Sequence, residues 1–121
     1  MGTIKIENVR EALKLFEDAA IKQGDASNTG KSNVANRNYK KIATIVSYLK
    51  ANGALNELTV FYVHSNLFVR TWAAAYLLPL YEKRSLEVLK EIANMNALGS
   101  LEAEMTIKEW KNGNLKNFYT L

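Results

Sequence analysis

Apolar residues recur along this chain at three- and four-residue steps, the period of a helix with one buried stripe. Val9, Leu13, Phe16, Ala20 and Ile21 make such a stripe, which predicts a first helix from about Asn8 to Gln23. Asn8 suits the N-cap and Glu11, three residues on, completes a pair like a capping box. Gly24 marks the end, as glycine does just past a helix. A polar connector, residues 24–33, leads into a second helix from about Ser32 to Ala51. Its inward stripe is Val34, Tyr39, Ile42, Ile45, Val46 and Leu49, and Asn52-Gly53 closes it.

Residues 54–63 are β-branched and aromatic and, taken alone, read as a strand. No second strand candidate exists to pair with it, and an isolated strand leaves its backbone groups unpaired. The stretch is therefore expected to be a short third helix, followed by a turn at His64-Ser65-Asn66. A fourth helix is expected from about Leu67 to Leu78, burying Val69, Trp72, Ala73, Tyr76 and Leu77. Pro79 should stop or kink it, because proline lacks an N–H and clashes one turn back. A fifth helix should start at Ser85 as N-cap and run to about Asn94, with Leu86, Leu89, Ile92 and Ala93 inward. After a turn at Asn96-Ala97-Leu98-Gly99, a sixth begins with Ser100 as N-cap and Glu102 in its first turn, where the helix dipole favours it. Leu101, Met105, Ile107, Lys108 and Trp110 follow, Gly113 ends it, and the tail 114–121 can be pinned by Leu115, Phe118 and Tyr119. The pattern predicts an all-α fold of about six helices in one domain over residues 1–121, with an ordered core over about 8–113.

Composition narrows the function classes. A chain of 121 residues can bury roughly two-thirds of its unfolded surface, so its core needs no staples. The absence of cysteine removes disulfides, thiol nucleophiles and the usual zinc sites, and makes a cytoplasmic setting the natural expectation. Met1-Gly2-Thr3-Ile4-Lys5-Ile6-Glu7 has no apolar h-region, so no signal peptide is expected. No apolar run approaches the ~20 residues that span a bilayer, so no membrane partner is expected.

The net charge of +4 is modest but unevenly placed. No acidic residue falls between Asp25 and Glu57, whereas Lys31, Arg37, Lys40, Lys41 and Lys50 all do. Lys31, Arg37, Lys40 and Lys41 lie largely opposite the apolar stripe of the second helix. The ordinary reading of such a run is a solvated helix face; the functional one is a basic belt that meets an acidic protein or nucleic acid. Nucleic acid is disfavoured, because aromatics are not interleaved with the basic residues as a single-strand platform needs.

The candidates for chemistry are few. Gly24…Gly30-Lys31-Ser32 invites a phosphate-loop reading, but five residues separate the first glycine from Gly-Lys-Ser where the motif has four, and no strand precedes it. His64, the single histidine, cannot form a histidine metal site alone and reads as a turn residue that makes a hydrogen bond or faces solvent. Glu17-Asp18 and Glu102/Glu104 are not arranged as an acid–base pair. No catalytic, cofactor-binding or metal-binding residues are assigned, and no enzyme is expected. Trp72 and Trp110 read as core; Phe61, Tyr62 and Phe68 would make an anchor patch only if exposed beside Arg37 or Arg70.

Several stretches resemble a known family. Val69-Arg70 leading into Thr71-Trp72-Ala73-Ala74-Ala75-Tyr76-Leu77-Leu78 resembles the second helix of a HEAT-type repeat. With Asn36-Arg37-Asn38-Tyr39, Leu89-Lys90-Glu91-Ile92-Ala93 and Glu109-Trp110-Lys111-Asn112-Gly113-Asn114-Leu115, the chain is similar over about residues 8–118 to a small bacterial family of HEAT- or armadillo-like helical folds with no established activity. The resemblance implies three helical hairpins stacked as an α-α superhelix, although helices four and six start only about thirty residues apart, short of the usual repeat of about 40–47. Small helical-repeat proteins of this kind often serve as toxin immunity proteins. The resemblance thus implies a protein-binding module that neutralises a toxin domain by occluding it, and it leaves a homodimer open. Lys31, Arg37, Lys40, Lys41 and Arg70 are the expected partner-binding residues. Asn66 departs from the pattern, standing where such repeats often place an acidic partner for Arg70.

Overall fold

A computed structural model describes residues 5–120, the side chains at 117 and 120 excepted; Met1 to Ile4, within the stretch read for a signal peptide, and Leu121 of the tail lie outside the described residues. Six α-helices are present among them: α1 (Val9–Asn28), α2 (Ser32–Ala51), α3 (Leu67–Leu77), α4 (Glu82–Ala93), α5 (Ser100–Lys111) and α6 (Lys116–Thr120). The segment Leu55–Val63 is a 3₁₀ helix, and the described residues include no strand. None of the helices is long and apolar enough to cross a membrane. The chain divides into two compact units, Met1–Glu57 and Leu58–Leu121.

The first unit is a helical hairpin. Asn8 caps α1 as expected: its Oδ1 accepts from the Glu11 N–H at 2.8 Å, and the Glu11 carboxylate reaches back to the Glu7 N–H at 2.8 Å. The far end of α1 differs from expectation. Gly24 lies buried inside the helix, which continues five residues past Gln23 to Asn28. The terminating glycine is Gly30, at φ +74°, where the Lys31 N–H returns to the Ala26 carbonyl at 2.9 Å. That is the six-to-one bond of a Schellman ending, which needs a left-handed residue just past the cap. The connector is thus only Thr29-Gly30-Lys31, and α2 starts at Ser32 as the pattern predicts.

α2 packs on α1, and its buried residues are Ala35, Asn38, Ile42, Ile45, Val46 and Leu49. Asn38 takes the inward place expected of Tyr39, which is 38% exposed. Its position explains this: Asn38 is one turn before Ile42 and two before Ile45, so it falls on their row. Its Nδ2 donates to the Val34 carbonyl at 3.0 Å.

In the second unit α4 packs against both α3 and α5. Asn66 caps α3, its Oδ1 accepting from the Phe68 and Val69 N–H groups at 2.9 and 3.2 Å. The His64 Nδ1 accepts in turn from the Asn66 N–H at 2.9 Å, fixing the turn as the sequence suggests. Every residue of α3 from Phe68 to Leu77 except Trp72 is buried, so α3 is apolar almost all round, the habit of a central helix. The chain leaves it through Leu78 and the exposed Pro79.

α4 begins at Glu82, a turn earlier than expected, because Ser85 is not its cap. Ser85 is fully buried and its Oγ lies 2.7 Å from the Tyr62 hydroxyl. Ser100 likewise lies inside the start of α5, with Gly99 at the cap position. Its hydroxyl donates to the Ile92 carbonyl at 2.7 Å and accepts from the Ala97 N–H at 3.0 Å, tying α5 to the end of α4.

The tail is held. Phe118 stacks on Tyr76 with ring centres 4.4 Å apart and on Trp72 at 6.5 Å, while the Tyr119 hydroxyl donates to the Ala75 carbonyl at 2.8 Å. Burial raises the Tyr119 phenol pKa well above its ordinary value.

Candidate functional site

The α2 stripe that faces α1 leaves the opposite side to solvent. Arg37, Lys40 and Lys41 are all exposed there, at the three- and four-residue spacing that puts side chains on one side of a helix. Lys31 is exposed at the position before the first turn. α2 has neither an acidic residue in its first turn nor a side-chain cap, so the positive end of its dipole stands beside Lys31 uncompensated. Arg37 and Lys41 form a like-charged pair four residues apart, which costs a helix about 0.2–0.5 kcal/mol. Among the described residues, Arg37, Lys40 and Lys41 make no ion pair. The result is a one-signed surface held on a rigid helix at some expense to that helix.

Arg70 is placed elsewhere in its chemistry. It is 9% exposed. Its Nε donates to the Tyr62 carbonyl at 2.7 Å and its Nη2 to Glu91 Oε1 at 2.6 Å. The guanidinium is committed to the second unit's interior bonding, so Arg70 is a packing residue and not a member of the exposed basic face. The reason is tertiary: the 3₁₀ segment delivers a carbonyl, and α4 delivers a carboxylate, to the same arginine. Glu91 supplies the acidic partner that Asn66 does not. The hydrogen bond from Arg70, then its charge, holds the Glu91 carboxyl below its ordinary range.

The aromatic trio is not a surface patch either. Phe61, Tyr62 and Phe68 are all buried. The Tyr62 ring carries the Arg84 guanidinium 5.5 Å from its centre, and burial raises its phenol pKa, opposed by the Ser85 hydrogen bond and the Arg84 charge. Trp72 and Trp110 are half-buried; Trp110 Nε1 donates to Glu82 Oε2 at 2.7 Å. The phosphate-loop pattern is dispersed, with Gly24 in α1 and Gly30 in the turn. No group of three or more His, Asp or Glu residues is positioned to hold a metal among the described residues.

Sequence reasoning missed one exposed feature. Leu98, Leu101 and Met105 are 67, 64 and 53% exposed. The signal was present: on α5, Ala103, Ile107 and Trp110 share one row, and Leu101 and Met105 fall about 160° from Ala103.

No curated protein matches the chain. The crystal structure of the protein RPA1889 from Rhodopseudomonas palustris CGA009 is similar, with a TM-score of 0.81 at 24% identity, covering 93% of this chain and 98% of that one. At that identity the likeness establishes the fold alone. The model of a family described as a domain of unknown function, DUF2019, matches residues 10–110. That match spans α1 through nearly all of α5, and the chain belongs to the DUF2019 family.

Proposed function

We propose that this chain is a cytoplasmic protein-binding module, an immunity protein that neutralises a toxin domain by covering its active cleft with the basic face of α2. The observation that carries the reading is the placement of Arg37, Lys40 and Lys41 together on the exposed side of one helix, in a span with no acidic residue from Ala26 to Asn56. A helix that keeps a like-charged pair and an uncompensated N-terminus breaks local consistency, and such breaks collect where a surface has work other than folding. A basic face of this kind speeds encounter with an acidic surface and selects against basic ones.

The test is co-expression of the chain with the product of the adjacent gene, where that product arrests growth. Rescue is expected, and the double variant Lys40→Glu/Lys41→Glu should lose it, with binding of the purified pair weakened most at low salt. Failure of the unaltered chain to rescue overturns the immunity reading. Full rescue by the charge-reversed variant overturns the basic face as its agent. A steeply salt-dependent shift of labelled DNA or RNA would replace the acidic protein with nucleic acid.

A further inference from the structure

The dipeptide Asn-Gly occurs twice in the chain, as Asn52-Gly53 and Asn112-Gly113. Both close a helix in the same way. Asn52 caps the end of α2 and Asn112 that of α5, each followed by a glycine at positive φ, +64° at Gly53 and +73° at Gly113. All four residues are exposed. The Gly53 N–H donates to the Lys50 carbonyl and the Gly113 N–H to the Trp110 carbonyl, each at 3.1 Å. The two sites share chemistry and backbone, and they differ in restraint. The Asn52 Nδ2 donates to the Tyr48 carbonyl at 2.8 Å, which ties its amide to the helix. Just beyond it, Ala54 is buried. The Asn112 side chain makes no hydrogen bond among the described residues, and Gly113 and Asn114 beyond it are exposed. Openings also come more readily near a chain end, where Asn112 stands.

We propose that Asn112 is a site of spontaneous covalent modification, and that its isoaspartyl product releases the tail. Asparagine is thermolabile, and a following glycine has no Cβ to hinder attack by its own backbone nitrogen. When the end of α5 opens, the Gly113 nitrogen loses its proton and bonds to the Asn112 Cγ. The Nδ2 group leaves as ammonia, taking up a proton, and a succinimide remains. Water then breaks one of the two ring C–N bonds. Breaking the Cγ–N bond gives aspartate; breaking the backbone C–N bond gives isoaspartate, with the chain now running through Cγ. The second product adds a methylene to the main chain inside the turn closed by the Asn114 N–H and the Glu109 carbonyl at 2.9 Å. That six-to-one bond needs the unaltered spacing. The turn leads directly into α6, which carries Phe118 to Tyr76 and Trp72, so its loss undocks them. The α2 basic face takes no part, so tail release and partner capture are separable.

Ageing of the full chain in mildly alkaline buffer, followed by peptide mapping and isoaspartyl detection, tests this. In the folded chain Asn112 should react roughly fivefold faster than Asn52, the factor that one ordinary hydrogen bond is worth. In urea, where neither amide is held, the two should react at like rates, and both rates should rise with pH as the attacking nitrogen is deprotonated. In a Trp110→Phe background, the fraction carrying isoaspartate at position 112 should show Trp72 emission at longer wavelength. Asn112→Asp, which adds the charge and keeps the normal backbone, should leave that emission unchanged. Asn112→Gln, whose longer side chain closes its ring slowly, should keep it unchanged through ageing. Equal rates at the two sites in the folded chain, faster loss at Asn52, or an Asn112 that reacts only in urea overturns the modification site. An isoaspartyl chain with unshifted emission, or a shift in aged Asn112→Gln, overturns its link to the tail.

Discussion

Arg70 Nη2 and Glu91 Oε1 meet at 2.6 Å across two different environments: the arginine side chain is 11% exposed and the glutamate 59%. The pair is thus anchored from within. The arginine is held by packing and by its second bond, to the Tyr62 carbonyl, and the carboxylate comes to it from α4. Replacing Arg70 with alanine removes both bonds and leaves that buried carbonyl unpaired. The unfolding free energy from urea titration should fall by about 2–3 kcal/mol, a figure kept below that for a fully buried pair because Glu91 can return to water. Arg70→Lys should recover less than half of the loss, since an ammonium cannot serve two acceptors in the fixed planar geometry of a guanidinium.

The same pair sets an acid dependence. The folded Glu91 carboxyl lies below its ordinary 4.5, so its contribution is present above that value and is lost as pH falls through the folded value. Glu91→Gln should therefore be less stable than the unaltered chain at neutral pH, and the gap should narrow at an acid pH below the folded value. A gap of the same size at both pH values would show that the charge of Glu91 is not what matters.

Tyr62 and Ser85 form a buried hydroxyl pair at 2.7 Å, joining the 3₁₀ segment to α4. Each of Tyr62→Phe and Ser85→Ala should lower stability by about 1–2 kcal/mol, because each leaves one buried hydroxyl without its partner. The double variant should lose less than the sum by roughly 1 kcal/mol, the coupling expected of residues that share one bond. Strict additivity in that cycle would mean that the bond contributes nothing.

The tail is the next site to probe. Phe118→Ala removes the ring stacked on Tyr76 and Trp72, and should cost about 1–2 kcal/mol. In a Trp110→Phe background, Trp72 emission should shift to longer wavelength as water reaches its face. Tyr119 adds an alkaline dependence. Its folded phenol pKa is raised above 10.0, so its contribution is intact below that value and is lost as pH rises through the folded one. Tyr119→Phe should then lose less stability than the unaltered chain between about pH 10 and pH 12.

Much of this fold is legible in the sequence because period and burial are the same information on an amphipathic helix. Once Ile42, Ile45, Val46 and Leu49 define the inside of α2, Arg37, Lys40 and Lys41 are outside by geometry, and that is where they lie. The misreadings share another cause. Gly24 and Ser85 each carry a strong local signal for a helix end, yet both are buried inside a helix, and Ser100, the first residue of α5, is buried and bonds elsewhere than at the cap. A local preference worth about 1 kcal/mol yields to packing and to hydrogen bonds made by distant residues. Ser85 answers to Tyr62, and Ser100 to Ile92, neither of which its own neighbourhood announces. Arg70 is the same case with a charge: arginine reads as surface until a carbonyl and a carboxylate are brought to it.

Because Gly24 does not end α1, only Thr29-Gly30-Lys31 connects it to α2, and this has a kinetic consequence. Bringing two helices together across so short a link has little closure entropy to overcome, and their contacts join residues close along the chain. Low contact order of this kind goes with rapid folding, so the Met1–Glu57 unit should assemble early and act as a nucleus. Gly30, with no atom within 4 Å of an added Cβ, is held to glycine by its backbone angle alone. Gly30→Ala should then cost about 1 kcal/mol, and in a chevron plot that cost should fall mainly on the folding limb, whereas Tyr62→Phe should act mainly on unfolding.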